Sequence, residues 1–176
     1  MKTRKFSMGF KIVLFQVVFL LLQYLYEWLP NSITILFSAT NESVYQHLKV
    51  GFFSYTLVVF IEYLWMRKGL EAPRRFLVSR LFTTVYYPWV MMVVFLVSPL
   101  VFIKIESIPG EIIFANVALL LTTWFSLVVE RHVEKAEPSN GFTLVLAALF
   151  LTSLVQFMVF TNRLPWFDIF ARPAGW

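Results

Sequence analysis

An uncharged apolar stretch, FTLVLAALFLTSLVQFMVF at residues 142–160, decides the fold of this chain. A helix needs about 20 predominantly apolar residues to cross the hydrocarbon core of a bilayer, and about 17 suffice. Four more stretches are long enough, at residues 12–29, 42–66, 81–103 and 112–129. The sequence therefore predicts one all-α integral membrane domain, residues 1–176, with five transmembrane helices and a C-terminal tail at 161–176.

The composition supports this fold class and excludes others. Of the 176 residues, 59% are hydrophobic and 14% are charged, whereas soluble domains carry roughly 25% charged residues. A soluble domain of this size has too little interior to bury so much apolar surface. Disordered chains have low hydrophobicity and high charge, so that class is excluded as well. The absence of cysteine excludes a disulfide framework, a thiolate metal site and a cysteine nucleophile.

The basic residues predict the orientation of the chain in the membrane. Five spans place the two termini on opposite sides, and cytoplasmic segments carry an excess of lysine and arginine. With the N-terminus inside, the outer side holds only Lys49, Lys104, Arg163 and Arg172, and the other basic residues lie inside. We therefore expect an N-in/C-out protein. Its net charge of +5 fits contact with anionic membrane lipids, so no nucleic-acid partner is expected.

Polar residues within the spans predict where helices meet, because such residues normally face the interior of a helix bundle. Gln16, Gln23 and Glu27 share one face of the first helix, and Glu62 shares a face of the second with other polar residues. Gln16 and Glu62 lie at similar depths, so a hydrogen bond between them is expected. Such a bond would join the helices, and a buried Glu62 carrying a proton is the functional alternative.

The outer half of the predicted bundle is richer in polar side chains than the inner half. Four helices contribute to it, and segments at the outer surface add two further residues. The set comprises Gln23, Glu27, His47, Asn116 and Gln156 within the spans, with Asn41 and Asp168 flanking them. If these side chains converge, they form an outward-facing polar pocket with apolar walls, as small-molecule sites commonly have. The alternative is a set of separate structural hydrogen bonds.

An enzymatic site is the second hypothesis, and it centres on His47. Ser43 and His47 are four residues apart, so on a helix their side chains are neighbours. A hydroxyl beside an imidazole is the minimal nucleophile and base, and the candidates to orient the ring are Glu27, Glu42 and Asp168. No metal site is predicted, because the only other histidine, His132, lies on the inner side in this topology. The sequence does not identify a cofactor.

The run from Asn41 to Lys49 carries a resemblance. It is similar to the Asn-Glu-Ser-Val-x-x-His-Leu-Lys motif of a family of small, uncharacterised, multi-spanning bacterial membrane proteins. The resemblance implies a location in the bacterial plasma membrane, and it implies no activity. Only this run is similar in sequence, whereas the rest of the chain is similar in hydropathy.

Three functions remain open from the sequence. The first is binding of a small molecule, lipid headgroup or ion in the outward-facing pocket, in transport or sensing. The second is a hydrolase-like enzyme using His47 at the outer interface. The third is a structural or partner subunit in which the same polar residues only hold helices together. Membrane lipids are the partners expected under all three.

Overall fold

The computed structural model describes residues 6–101 and 107–162. These residues form six α-helices and no β-strand. The helices are α1 (Met8–Trp28), α2 (Thr34–Phe37), α3 (Val44–Met66), α4 (Pro73–Val101), α5 (Ile108–Val133) and α6 (Asn140–Asn162), with a 3-10 turn at Arg67–Gly69. All but α2 are long and apolar enough to span a membrane, which confirms the predicted number of spans. The predicted end of the third span and most of the C-terminal tail, with Asp168, lie outside the described residues.

The helices extend beyond the predicted apolar stretches. Helix α1 begins at Met8 rather than near residue 12, and α4 begins at Pro73 rather than near residue 81. Proline is tolerated in the first turn of a helix, where its missing N–H would have no intrahelical partner. Helix α5 likewise continues to Val133, four residues past its predicted end at 129. In each case the extension adds a charged residue whose side chain is buried in the bundle, at Lys11, Arg80 and Glu130.

Helix α4 lies at the centre of the bundle, packing against α3, α5 and α6, and α1 packs against α3 and α5. The core between them is rich in aromatic rings. Tyr55 and Tyr87 are stacked with ring centroids 5.5 Å apart, and Phe15 approaches Tyr87 at 4.7 Å. The bundle surface carries many large apolar side chains, including Val13, Trp89 and Leu144, as a surface in contact with lipid should.

Candidate functional site

Four buried charged side chains meet at one end of the bundle, where α1 and α4 begin and α3 and α5 end. Lys11 comes from α1, Glu62 from α3, Arg80 from α4 and Glu130 from α5, and each is at most 6% exposed. We call these four residues the ionic cluster. Each lies less than three turns from one end of its helix. Charged groups inside a membrane bundle are rare, and they commonly mark functional positions.

The ionic cluster is closely paired. Lys11 Nζ lies 2.6 Å from Glu62 Oε2 and 2.6 Å from Glu130 Oε1, so one ammonium joins two helices to α1. Arg80 donates to both oxygens of Glu62, from Nη2 at 2.7 Å and from Nε at 3.4 Å. Charge-assisted bonds of this kind are about twice as strong as neutral ones. The two cations and two carboxylates thus compensate one another within the interior.

A second layer of contacts completes the hydrogen bonding of the cluster. The Tyr55 hydroxyl donates to Glu130 Oε2, the carboxylate oxygen that is not bonded to Lys11. Arg80 Nη1 donates to Ser79 Oγ at 2.9 Å and also to a carboxylate oxygen of Glu134, the residue that follows the end of α5. The Arg80 guanidinium also lies 4.1 Å from the centre of the Phe76 ring. These contacts fix the orientation of each charged group, so the cluster is rigidly held.

A cavity of about 870 Å³ borders the ionic cluster at this end of the bundle. Its floor is formed by the cluster together with Glu134. Its mouth carries Lys68, Glu71 and Arg131, which are exposed. The rest of the wall is uncharged and mostly apolar, and it consists of Phe6, Met8, Trp65, Met66, Gly69, Leu70, Ala72 and Leu127. The volume falls in the range of about 300–1,000 Å³ that is typical of small-molecule sites.

The expected hydrogen bond between Gln16 and Glu62 is not formed. Gln16 Nε2 donates instead to Asn116 Oδ1 on α5, at 2.8 Å. The Glu62 carboxylate accepts hydrogen bonds from Lys11 and Arg80. The reason is electrostatic, because a carboxylate gains more from two cationic donors than from one neutral amide. Gln16 therefore joins α1 to α5 rather than to α3, and Glu62 belongs to the ionic cluster.

At the opposite end of the bundle, the structure brings together part of the predicted outer set. Gln23 Nε2 on α1 donates to Glu42 Oε1 at 3.5 Å, and Glu42 Oε2 lies 3.3 Å from His47 Nε2 on α3. The hydrogen bond with His47 is the main cause that lowers the pKa of Glu42, and partial burial opposes it. Asn41 lies beside this group, where its side chain accepts from the Ser43 N–H at 2.9 Å. These contacts join α1 to the start of α3.

The other predicted outer residues do not join this group. Glu27 is exposed near the end of α1, and Gln156 is exposed on α6. Asn116 is paired with Gln16, as described above. Asp168 lies outside the described residues. The outward-facing pocket therefore does not assemble from the described members of the predicted set, and the polar contacts there are local ones.

Ser43 is a helix cap and is not placed as a nucleophile. Its hydroxyl oxygen accepts from the Gln46 N–H at 3.4 Å, so Ser43 is the N-cap of α3. The His47 ring contacts the backbone of Ser43 rather than its hydroxyl, because Nδ1 lies 3.0 Å from the Ser43 carbonyl oxygen. A general base must reach the hydroxyl that it deprotonates. The predicted serine–histidine pair is thus corrected to a cap and a backbone contact, although Glu42 does lie at the other ring nitrogen.

Replacing Ser43 tests the assignment as a cap. Ser43→Ala should lower the free energy of unfolding by about 1 kcal/mol, because the first turn of α3 loses its side-chain acceptor. Ser43→Gly should lower it by only a few tenths of a kcal/mol, since glycine is tolerated as an N-cap. Both variants lack the hydroxyl. Equal behaviour of alanine and glycine in an unfolding titration would contradict the assignment.

Three of the four cluster residues were missed as site residues by sequence reasoning. Lys11, Arg80 and Glu130 lie just outside the apolar stretches from which the spans are predicted. The helical phase gave no usable signal, because α1 is apolar on nearly every side and Lys11 does not lie on its predicted polar face. The structure alone shows that Lys11 continues the buried stripe of Phe15, Phe19 and Leu22 at spacings of three and four. Whether such a charge lies in the interior depends on which helices are its neighbours, and the sequence does not give them.

No family model matches this chain, and no curated protein and no solved structure is significantly similar to it. The resemblance of the run from Asn41 to Lys49 to small bacterial membrane proteins therefore stays a prediction. The geometry of the ionic cluster and of the cavity beside it is the feature from which a function is inferred.

Proposed function

We propose that this chain is a multi-pass membrane protein that binds a small polar molecule, lipid headgroup or ion, in transport or sensing. Its site is the cavity bordered by the ionic cluster. The observation that carries this proposal is the meeting of four buried charges from four helices at the wall of one cavity of about 870 Å³. A charged ligand would bind to members of the ionic cluster in place of some of their present ion pairs. Since those ion pairs join four helices, binding would alter the contacts among all four.

A purely structural role for the cluster is the strongest competing interpretation. Buried ion pairs often contribute little net stability compared with apolar side chains of the same volume. A cluster that only held helices together would be expected within closely packed surroundings. Here it borders open space and lies beside a charged mouth formed by Lys68, Glu71 and Arg131. This arrangement supports binding over a structural lock.

The orientation of the protein decides to which side the cavity opens. The cavity end carries the basic residues Lys68, Arg74, Arg75 and Arg131, and the positive-inside rule assigns such an end to the cytoplasm. We therefore propose an N-in/C-out protein whose ligand enters from the cytoplasmic side. The resemblance of the run from Asn41 to Lys49 supports the plasma membrane of a bacterium. The proposed site is thus at the opposite face from the outward-facing pocket expected from sequence.

The hydrolase alternative has less support. The contact between Glu42 and His47 supplies an oriented imidazole, but the Ser43 hydroxyl is engaged as the cap of α3. A hydrolase would need another nucleophile, such as a water molecule, near His47.

Filling the cavity tests the proposed function. Ala72 lines the cavity, and Ala136 is a comparably exposed alanine that lines a different depression. We expect at least one compound from a panel of inorganic phosphate, ethanolamine, O-phosphoethanolamine and glycerol to raise the melting temperature of the purified protein. A ligand at about 100 times its Kd stabilises by about 2.7 kcal/mol. The shift should persist in Ala136→Trp and disappear in Ala72→Trp.

Two results would contradict the proposed function. The first is that neither a compound of the panel nor a bilayer containing phosphatidylethanolamine stabilises the protein. The second is that a stabilising compound acts equally on Ala72→Trp and Ala136→Trp, because the compound would then bind elsewhere.

A further inference from the structure

The floor of the cavity has one more negative charge than positive charges. Lys11 and Arg80 supply the two cations, and Glu62, Glu130 and Glu134 supply three carboxylates. Arg80 is shared among these carboxylates, since it bonds to Glu62 and Glu134 and lies 3.6 Å from Glu130. The Glu134 side chain is 36% exposed, whereas those of Glu62 and Glu130 are almost fully buried. The uncompensated charge therefore lies on the side of the floor that faces the cavity.

The mouth of the cavity has the opposite surplus. Lys68 and Arg131 line it with two positive charges, against one carboxylate at Glu71. Within residues 6–101 and 107–162, none of these three side chains takes part in an ion pair. The cations at the mouth are thus available to an acidic group from outside. The exposed charged residues of the lining thus have a surplus of one positive charge, and the buried and half-buried ones have a surplus of one negative charge.

We propose that the ligand is a zwitterion that enters with its ammonium group directed toward the floor, an inference that rests on the proposed binding function. The ammonium would lie beside Glu134 and supply the missing positive charge. The acidic group would stay at the mouth between Lys68 and Arg131. A short hydrocarbon segment between the two groups would contact the apolar wall at Met66 and Leu127. Amino acids and phosphorylated amino alcohols, free or as phospholipid headgroups, have this chemistry.

Ligands with a single charge fit the cavity less well. An anion that reached the floor would meet the surplus carboxylate charge there. A simple amine would compensate the floor, but it would leave the two cations at the mouth without an acidic partner. A divalent metal ion is not favoured, because no group of three His, Asp or Glu side chains in the described part of the chain is arranged to hold one. A zwitterion satisfies both ends of the cavity at once.

The experiment compares charge classes and variants on the purified full chain. Calorimetry in micelles of an uncharged sugar detergent, which contain no zwitterionic headgroup, should show O-phosphoethanolamine binding at least about tenfold more tightly than inorganic phosphate or ethanolamine, a difference of about 1.4 kcal/mol. Glu134→Gln should weaken O-phosphoethanolamine binding about tenfold. Glu137→Gln is the matched control, because Glu137 lies outside the cavity and is 76% exposed.

Two further measurements test the residues at the mouth and the source of the ligand. Lys68→Gln should weaken binding of O-phosphoethanolamine. Arg67→Gln changes a neighbouring residue that does not line the cavity, so it should leave this binding unchanged. Stabilisation by nanodiscs containing phosphatidylethanolamine, without binding of free O-phosphoethanolamine, would identify a lipid headgroup as the ligand. Binding of the free compound would identify a soluble zwitterion.

Failure of this inference can be told apart from failure of the proposed function. If phosphate, ethanolamine or glycerol binds in a manner abolished by Ala72→Trp, while O-phosphoethanolamine and its lipid do not bind, the zwitterion is wrong and the binding site remains. Equal effects of Glu134→Gln and Glu137→Gln would also overturn the zwitterion. If nothing in the panel binds and bilayers containing phosphatidylethanolamine do not stabilise the protein, both proposals are wrong.

Discussion

Replacement of Lys11 by methionine should lower the free energy of unfolding by about 3–5 kcal/mol, which is the range for breaking a buried ion pair from one side. The ammonium of Lys11 lies 2.6 Å from a carboxylate oxygen of Glu62 and equally close to one of Glu130. Methionine has nearly the same length, so the stem's packing is kept and mainly the charge is lost. Glu130 would then keep only the Tyr55 hydroxyl and the more distant Arg80 as donors. Unfolding in mixed micelles, followed by tryptophan fluorescence, measures the loss.

A compensating substitution separates the loss of charge from a general disturbance of the core. The double variant with Lys11→Met and Glu130→Gln removes one charge of each sign, and the glutamine can still accept from Tyr55. We expect it to recover most of the lost stability, whereas adding the two single losses would predict an even less stable protein. Lys135→Met is the control at an exposed lysine of the same end, and its effect should stay within about 0.5 kcal/mol. A loss below about 1 kcal/mol for Lys11→Met alone would show that the cluster does not depend on this charge.

The helices of this protein were predictable because each span contains an uninterrupted apolar stretch of sufficient length. Their ends were less predictable, since the apolar stretches stop at charged residues whereas the helices do not. Arg80 and Glu130 illustrate the reason. Each of these charges is compensated by a partner on another helix, so the chain can keep its helical hydrogen bonds past the point where hydropathy falls.

The ionic cluster was harder to predict because its contacts join residues that are far apart in sequence. Lys11 and Glu130 are separated by 119 positions, and no local pattern indicates that α1 lies between α3 and α5. The helical phase did identify Gln16 and Glu62 as inward-facing. It could not select their partners, since those depend on which helices are neighbours and on which cations reach the same depth.

The group at the other end of the bundle shows where phase is informative and where it stops. Gln23 was expected to face inward, and it is 8% exposed and contacts Glu42. Glu27 lies one turn later on the same face, yet it is exposed. The two residues differ in exposure because Glu27 belongs to the last turn of α1, which ends at Trp28. The neighbouring helices no longer cover that face there. Phase predicts the face of a helix, and depth in the bundle decides whether the face is buried.

Substituting Gly51 should give the second large loss of stability. Gly51 lies on α3 where this helix approaches α4 closely. A Cβ atom at Gly51 would lie 3.2 Å from Met91 Sδ and 3.2 Å from Tyr87 Cε1, closer than ordinary van der Waals contact. Valine adds two further methyl groups in the same place, so Gly51→Val should lower the free energy of unfolding by about 1–3 kcal/mol or more.

Two further glycines provide matched controls for this crowding. Gly9 on α1 and Gly141 on α6 lie in helices, and an added Cβ would meet nothing within 4 Å at either position. Valine there should be neutral or slightly stabilising, because glycine is a poorer helix former by a few tenths of a kcal/mol. Gly51→Ala should fall between these cases, since the thioether of Met91 is flexible and can shift, whereas the stacked ring of Tyr87 is held by Tyr55. Similar effects of valine at Gly51, Gly9 and Gly141 would show that α3 and α4 do not need glycine to approach one another.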